Sequence, residues 1–154
     1  MKTNILAAAL ILISASALAD PYAAVGYGGR PGAYNAYLGE QFTANYAAEL
    51  DYIDEGIQPH GIPDNNQIIS VNGVATMPVY KSLSMYGKIG VADMQQQTGY
   101  PWSGFSGFQV GVGVEYPLAY RVSVFTEVNQ LHTQQYIKQF ENFTDYAFGL
   151  RINF

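Results

Sequence analysis

The chain has no cysteine, two histidines and few charges of either sign: 12% of its 154 residues are Asp, Glu, Lys or Arg. Without cysteine there are no disulfides, the usual staple of small exported domains, so stability must come from another source. Basic residues are the scarcer, seven against twelve acidic, for a net charge of −5. That balance lacks the positive footprint of a nucleic-acid-binding surface. Long hydrophobic runs are missing too. Beyond the first twenty residues no apolar stretch approaches the ~18 residues of a transmembrane helix, and 3.6-residue periodicity is hard to find. What the chain has is aromatics and glycine: thirteen Tyr, eight Phe, one Trp and sixteen Gly. Those residues favour strands and turns.

Residues 1–19 read as a secretory signal peptide. "MKTN" is a short basic leader, "ILAAALILI" an apolar run too short to span a bilayer, and "SASALA" a small-x-small cleavage site ending at Ala19. The expected mature chain is residues 20–154, a single domain that keeps six basic and all twelve acidic residues.

Along that chain, period-two alternation recurs in eight segments. "GFQVGVGVEYPL" (107–118) sets Phe108, Val110, Val112, Val114, Tyr116 and Leu118 against Gln109, Gly111, Gly113 and Glu115. The closing "DYAFGLRINF" sets Tyr146, Phe148, Leu150, Ile152 and Phe154 against Asp145, Ala147, Gly149, Arg151 and Asn153. Segments of 8–12 residues suit tilted strands crossing a bilayer. Tight connections at 43–45, 80–82 and 118–120 interleave with longer polar ones at 55–67, 95–104 and 131–143. A mean hydropathy of zero is no objection, because a membrane barrel averages an apolar outside with a polar inside.

Eight alternating strands also make soluble ligand-binding barrels, so the class depends on which face is inside. The polar face here is rich in glycine and alanine, as a narrow eight-stranded interior requires. Its charges have both signs: Glu49, Asp51, Glu115 and Glu127 against Lys88, Arg121 and Arg151. Buried ions of this kind need partners. Aromatics near strand ends (Tyr22, Tyr46, Tyr52, Tyr116, Tyr120, Trp102, Phe154) suit interface girdles. The expectation is an all-β, eight-stranded, antiparallel up-and-down transmembrane β-barrel, closed because an open edge in hydrocarbon is untenable.

With "YAFGLRINF" and "GFQVGVGVEYPLAYRVSVFTEVNQ" in view, the chain resembles the eight-stranded outer-membrane barrels typified by the OmpA transmembrane domain and the OmpX-like proteins. The resemblance implies a Gram-negative outer-membrane location and contact with outer-membrane lipid and lipopolysaccharide. It also implies assembly by periplasmic chaperones and the outer-membrane insertion machinery. Tyr146, Phe148, Leu150, Ile152 and Phe154 then look like the assembly signal. Glu49, Lys88, Glu127 and Arg151, with Glu115 on the same face, look like the charged lumen cluster of such barrels.

Other sites are weaker. His132 sits in "HTQQY", where Thr133 and Gln134 follow and a serine nucleophile at the offset used by lipid A deacylases is missing. His60 with Asp54, Glu55 and Asp64 sketches a loop metal site whose bland alternative is a solvated histidine. Trp102 and Tyr100 are candidates for an interface anchor or a lipopolysaccharide contact. No cofactor, metal or catalytic set is expected. The reading is a monomeric, non-enzymatic envelope-structural or surface-interaction (adhesion-like) protein. Its rivals are a narrow or gated pore and a lipid A-modifying enzyme.

Overall fold

The computed structural model describes residues 20–29, 32–54, 65–97, 103–133 and 143–154. They form eight strands: β1 (Asp20–Gly28), β2 (Tyr34–Thr43), β3 (Tyr46–Asp54), β4 (Asn65–Tyr80), β5 (Leu83–Gln97), β6 (Ser103–Ala119), β7 (Val122–Thr133) and β8 (Phe143–Asn153). Each pairs antiparallel with the next, and β1 pairs with β8, so the sheet closes into an up-and-down barrel. Closure leaves the sheet with no edge strand. It runs to the end of the chain: the Phe154 N–H donates to the Pro21 carbonyl at 2.9 Å.

Three tight turns, at Ala44–Asn45, Lys81–Ser82 and Tyr120–Arg121, lie at the same end of the barrel as residues 20 and 154. The strand ends that flank 30–31, 55–64, 98–102 and 134–142 lie at the opposite, loop end; those segments, like residues 1–19, lie outside the described residues. Every tight hairpin carries a register shift beside its turn, at Gln41/Thr43, Pro78/Tyr80 and Pro117/Ala119. Two of these bulges hold a proline, which has no N–H for a ladder and is tolerated where pairing is already broken. Lys81 takes a φ of 48°, a left-handed turn conformation uncommon outside glycine and asparagine.

The alternation read from the sequence holds in space, and the apolar side faces out. Val25, Leu38, Ile89, Val91, Val112, Phe148 and Leu150 are exposed, while Glu49, Asp51, Lys88, Glu127 and Arg151 are buried. On β6 the outward apolar run from Phe108 to Leu118 spans ten residue steps, about 33 Å along a strand rising ~3.3 Å per residue. Tilted by about 40°, it covers about 25 Å of height, the thickness of a membrane barrel's apolar band. Exposed aromatics bound the outward surface at both ends: Tyr27, Tyr34, Phe108 and Tyr146 toward the loops, Phe42, Tyr46, Tyr116 and Phe154 toward the turns. Tyr34 and half-buried Tyr52 pack at 6.0 Å between ring centroids within the loop-end set. Glu40 has outward parity on β2 but is buried, at 5% exposure. Neither of its carboxylate oxygens is hydrogen-bonded, and nothing in the structure explains it.

Candidate functional site

The distinctive chemistry lies inside the barrel, and glycine makes room for it. A long side chain pointing into a narrow lumen must lie across the neighbouring strand, which is feasible only where that strand lacks a Cβ. The register shows this pairing repeatedly. Tyr22 is opposite Gly39, Tyr86 opposite Gly113 and Lys88 opposite Gly111, and Phe125 opposite Gly149. A Cβ on Gly111 would sit 2.8 Å from Lys88 Cγ, and one on Gly149 would sit 2.8 Å from the Phe125 ring. Cβ atoms on Gly39 and Gly113 would run into the Tyr22 and Tyr86 rings.

In the space so created, Lys88 is fully buried and held by three carboxylates. Its Nζ lies 2.6 Å from Asp51 Oδ2, 2.8 Å from Glu127 Oε1 and 3.2 Å from Glu49 Oε1. It also stands 4.6 Å from the centre of the Tyr37 ring. Three N–H donors facing three carboxylates and an aromatic face meet the partnering that a buried ammonium requires. Nearer the turn end, Arg151 reaches Glu115 and, at 3.4 Å, Glu49 Oε2. Its guanidinium lies 4.4 Å from the Tyr22 ring centre and 5.3 Å from that of Tyr86. Glu49 joins the two ion-pair groups, and the Tyr22 hydroxyl donates to its Oε2 at 2.8 Å.

Polar bonds tie further strands to this cluster. Gln109 donates to Asp51 Oδ2 at 3.0 Å and Asn129 Oδ1 at 3.3 Å, and the Tyr37 hydroxyl donates to Glu127 at 3.2 Å. Asn35 donates to the Tyr37 hydroxyl and to Asp145 Oδ2. Asn129 donates to Glu127, and Ser123 to Glu115. Among the described residues these bonds link every strand except β4. Asp51 Oδ1, Gln109 Oε1, Asn72 Oδ1 and the Tyr86 hydroxyl have no side-chain or backbone partner. Buried polar atoms of this kind are the usual seats of ordered water. Toward the loops the network gives way to an apolar layer of Ile53, Ile68, Ala92, Met94 and Leu131. At mid-height the lumen is filled with side chains.

The structure brings Glu49, Lys88, Glu115, Glu127 and Arg151 into this one network, together with Asp51. Arg121 is elsewhere. It lies in the exposed β6–β7 turn, its Cζ 5.7 Å from the Tyr120 ring centre, and meets none of these acids. Tyr22, read from the sequence as a girdle residue, points inward at 4% exposure. Its parity with Ala24 and Gly26 is the signal that identifies it, because those small residues mark the lumen side of β1. Tyr37 and Asn35 share the lumen face of β2, the strand with the least regular pattern. Tyr146, Phe148, Leu150, Ile152 and Phe154 form an exposed apolar row on β8 and just beyond it.

His132 sits on the outer face of β7, stacked on Phe108 with ring centroids 4.7 Å apart and planes 5° from parallel. Its Nδ1 has no hydrogen-bond partner. Among the described residues, no three His, Cys, Asp or Glu residues are grouped to hold a metal. His60, Glu55 and Asp64, like Tyr100 and Trp102, lie outside the described residues.

No family model matches the chain, and no curated protein is similar to it in sequence. Its fold matches solved structures of outer-membrane barrels. The N-terminal β-barrel domain of Pseudomonas aeruginosa OprF superposes with a TM-score of 0.70 at 13% identity, over 89% of this chain and 98% of that one. Neisserial surface protein A superposes at 0.60 with 13% identity, over 88% and 96%. Ail, the attachment invasion locus protein of Yersinia pestis, superposes at 0.58 with 11% identity, over 88% and 99%. The likeness is one of fold: a closed, eight-stranded antiparallel barrel.

Proposed function

We propose that the protein is an outer-membrane β-barrel of a Gram-negative envelope, exported through a signal peptide cleaved after Ala19, with an envelope-structural or surface-interaction role and no enzymatic activity. The observation that carries this reading is the inverted distribution of polarity. The outward surface is an apolar band of about 25 Å height with aromatics at both ends, and the ion pairs are inside. In water such an exterior would be an aggregation surface; in a bilayer it is the required one. In this setting the loop end faces the cell exterior and the turn end the periplasm, and the exterior contacts are lipid and lipopolysaccharide. The β8 row ending at Phe154 serves as the signal read by chaperones and the insertion machinery.

The lumen supports a static role. Lys88 and its three carboxylates occupy the mid-height of the barrel, where a conducting protein needs a water column. Surface interaction suits the loop end, and one of the fold's neighbours is named for attachment and invasion. Cell fractionation combined with gel mobility before and after boiling tests the reading. The expected result is a detergent-requiring protein in the outer-membrane fraction whose band shifts on heating. A soluble periplasmic protein, or a band indifferent to boiling, would overturn it.

A further inference from the structure

The turn end carries a device built twice. Hairpin β4–β5 closes through Pro78-Val79-Tyr80-Lys81-Ser82 and hairpin β6–β7 through Pro117-Leu118-Ala119-Tyr120-Arg121. Each has a proline at a register shift, then a tyrosine followed directly by a cation. In each the cation lies by that tyrosine's ring, Lys81 Nζ at 5.2 Å and Arg121 Cζ at 5.7 Å from the centroid. Both tyrosines are exposed, Tyr120 to 95%, and so are both cations.

The placement of charge makes this pair unusual in an acidic chain. Four cations occur among the described residues. Lys88 and Arg151 are consumed by lumen carboxylates, so Lys81 and Arg121 are the exposed ones, and both are at the turn rim. Two strands, β5 and β6, separate them along the rim, about 10 Å at ~4.8 Å per strand. Just inside the rim lie Tyr46, Tyr116 and Phe154 of the turn-end aromatic set, so the two turns reach past the apolar band to headgroup depth. An ammonium or guanidinium there, beside a phenol hydroxyl, is the donor set that a phosphodiester accepts.

We propose that the Tyr80–Lys81 and Tyr120–Arg121 turns form a lipid-binding rim that recruits anionic phospholipid headgroups of the leaflet facing the turns. The inference rests on the membrane reading above and adds a lipid preference to it. Each cation near an anionic surface contributes about 1 kcal/mol, or about fivefold in association, an effect that salt screens.

The test uses the mature chain in phosphatidylcholine vesicles carrying trace spin-labelled phosphatidylglycerol or spin-labelled phosphatidylcholine. The motionally restricted fraction reports lipids held at the barrel. For the wild type the glycerol lipid should be restricted at least about fivefold more strongly than the choline lipid, less so in high salt. In the Lys81→Asn/Arg121→Gln double variant, with asparagine chosen for its tolerance of positive φ, the two lipids should be held equally. The variant's heat-dependent gel shift should remain, which shows that it is folded. Equal restriction of both lipids by the wild type, or an unchanged preference in the folded double variant, overturns the rim while leaving the membrane reading intact. A chain that holds neither lipid overturns both.

Discussion

At the scale of single residues, the lumen is a set of reciprocal fits between a large side chain and the glycine across the ladder. This explains why glycine is abundant in strands, where its backbone freedom ordinarily disfavours it. It also makes the sign of a glycine substitution depend on the face it occupies. Gly87 is an outward-facing residue on β5, and the nearest atom to an added Cβ there is 3.8 Å away, ordinary contact. Gly111, its inward neighbour on β6, has no such room, because a Cβ would collide with Lys88 and Asn129. Gly87→Ala should therefore be neutral or stabilising by up to about 1 kcal/mol. Gly111→Ala should destabilise by about 1–3 kcal/mol, the range for overpacking. Urea midpoints of the two variants in the same detergent check the contrast. Lys88→Met is a harsher change, since it leaves Asp51 and Glu127 without a cation and Glu49 with only Arg151. It should cost about 3–5 kcal/mol, the range for breaking a buried ion pair from one side, on the same urea assay.

At the scale of elements, the strands were legible because alternation has a period that no helix shares. The faces of β3 to β8 can be read directly from it. The tight turns at 44–45 and 81–82 fall within the connections read at 43–45 and 80–82, while the third is at 120–121, one residue beyond the 118–120 reading. The misreadings have physical causes. Tyr22 was ambiguous because tyrosine suits both an interface girdle and a hydrogen-bonded interior; its parity with Ala24 and Gly26 points inward, and its cross-strand fit into Gly39 agrees. Arg121 shares parity with Ser123 and Glu127, but it belongs to the turn rather than the strand, so parity does not carry it into the lumen. The alternation puts Glu49, Asp51, Glu127 and Lys88 on one face, but which of the acids meet the one ammonium is not legible from it. It depends on stagger between strands distant in sequence, which a linear pattern does not encode.

The closing strand makes its own prediction. Phe154 contributes a backbone bond to Pro21 and an exposed ring, so deleting it removes little packing from the barrel. Loss of Phe154 should lower assembly into the outer membrane of living cells severalfold while leaving refolding yield in detergent near the wild-type value. Equal loss in the two assays would make the residue purely structural.

At the scale of the whole molecule, the barrel replaces an apolar core with a polar one and relies on its surroundings to bury the rest. Ion pairs, a tyrosine–carboxylate network and backbone closure hold it together without disulfides. That architecture is stable only if the exposed apolar band meets hydrocarbon, which makes the band the central claim. The absence of native cysteine allows single cysteines to be spin-labelled at Ile89, Val91 and Val112 in the band and at Tyr120 in the turn. The measurement is collision with oxygen, which concentrates in hydrocarbon, against collision with a water-soluble nickel chelate, for the protein in lipid vesicles. Oxygen should dominate at Ile89, Val91 and Val112, and nickel at Tyr120. Nickel collisions at Val112 as frequent as those at Tyr120 would place the apolar band in water and contradict the account.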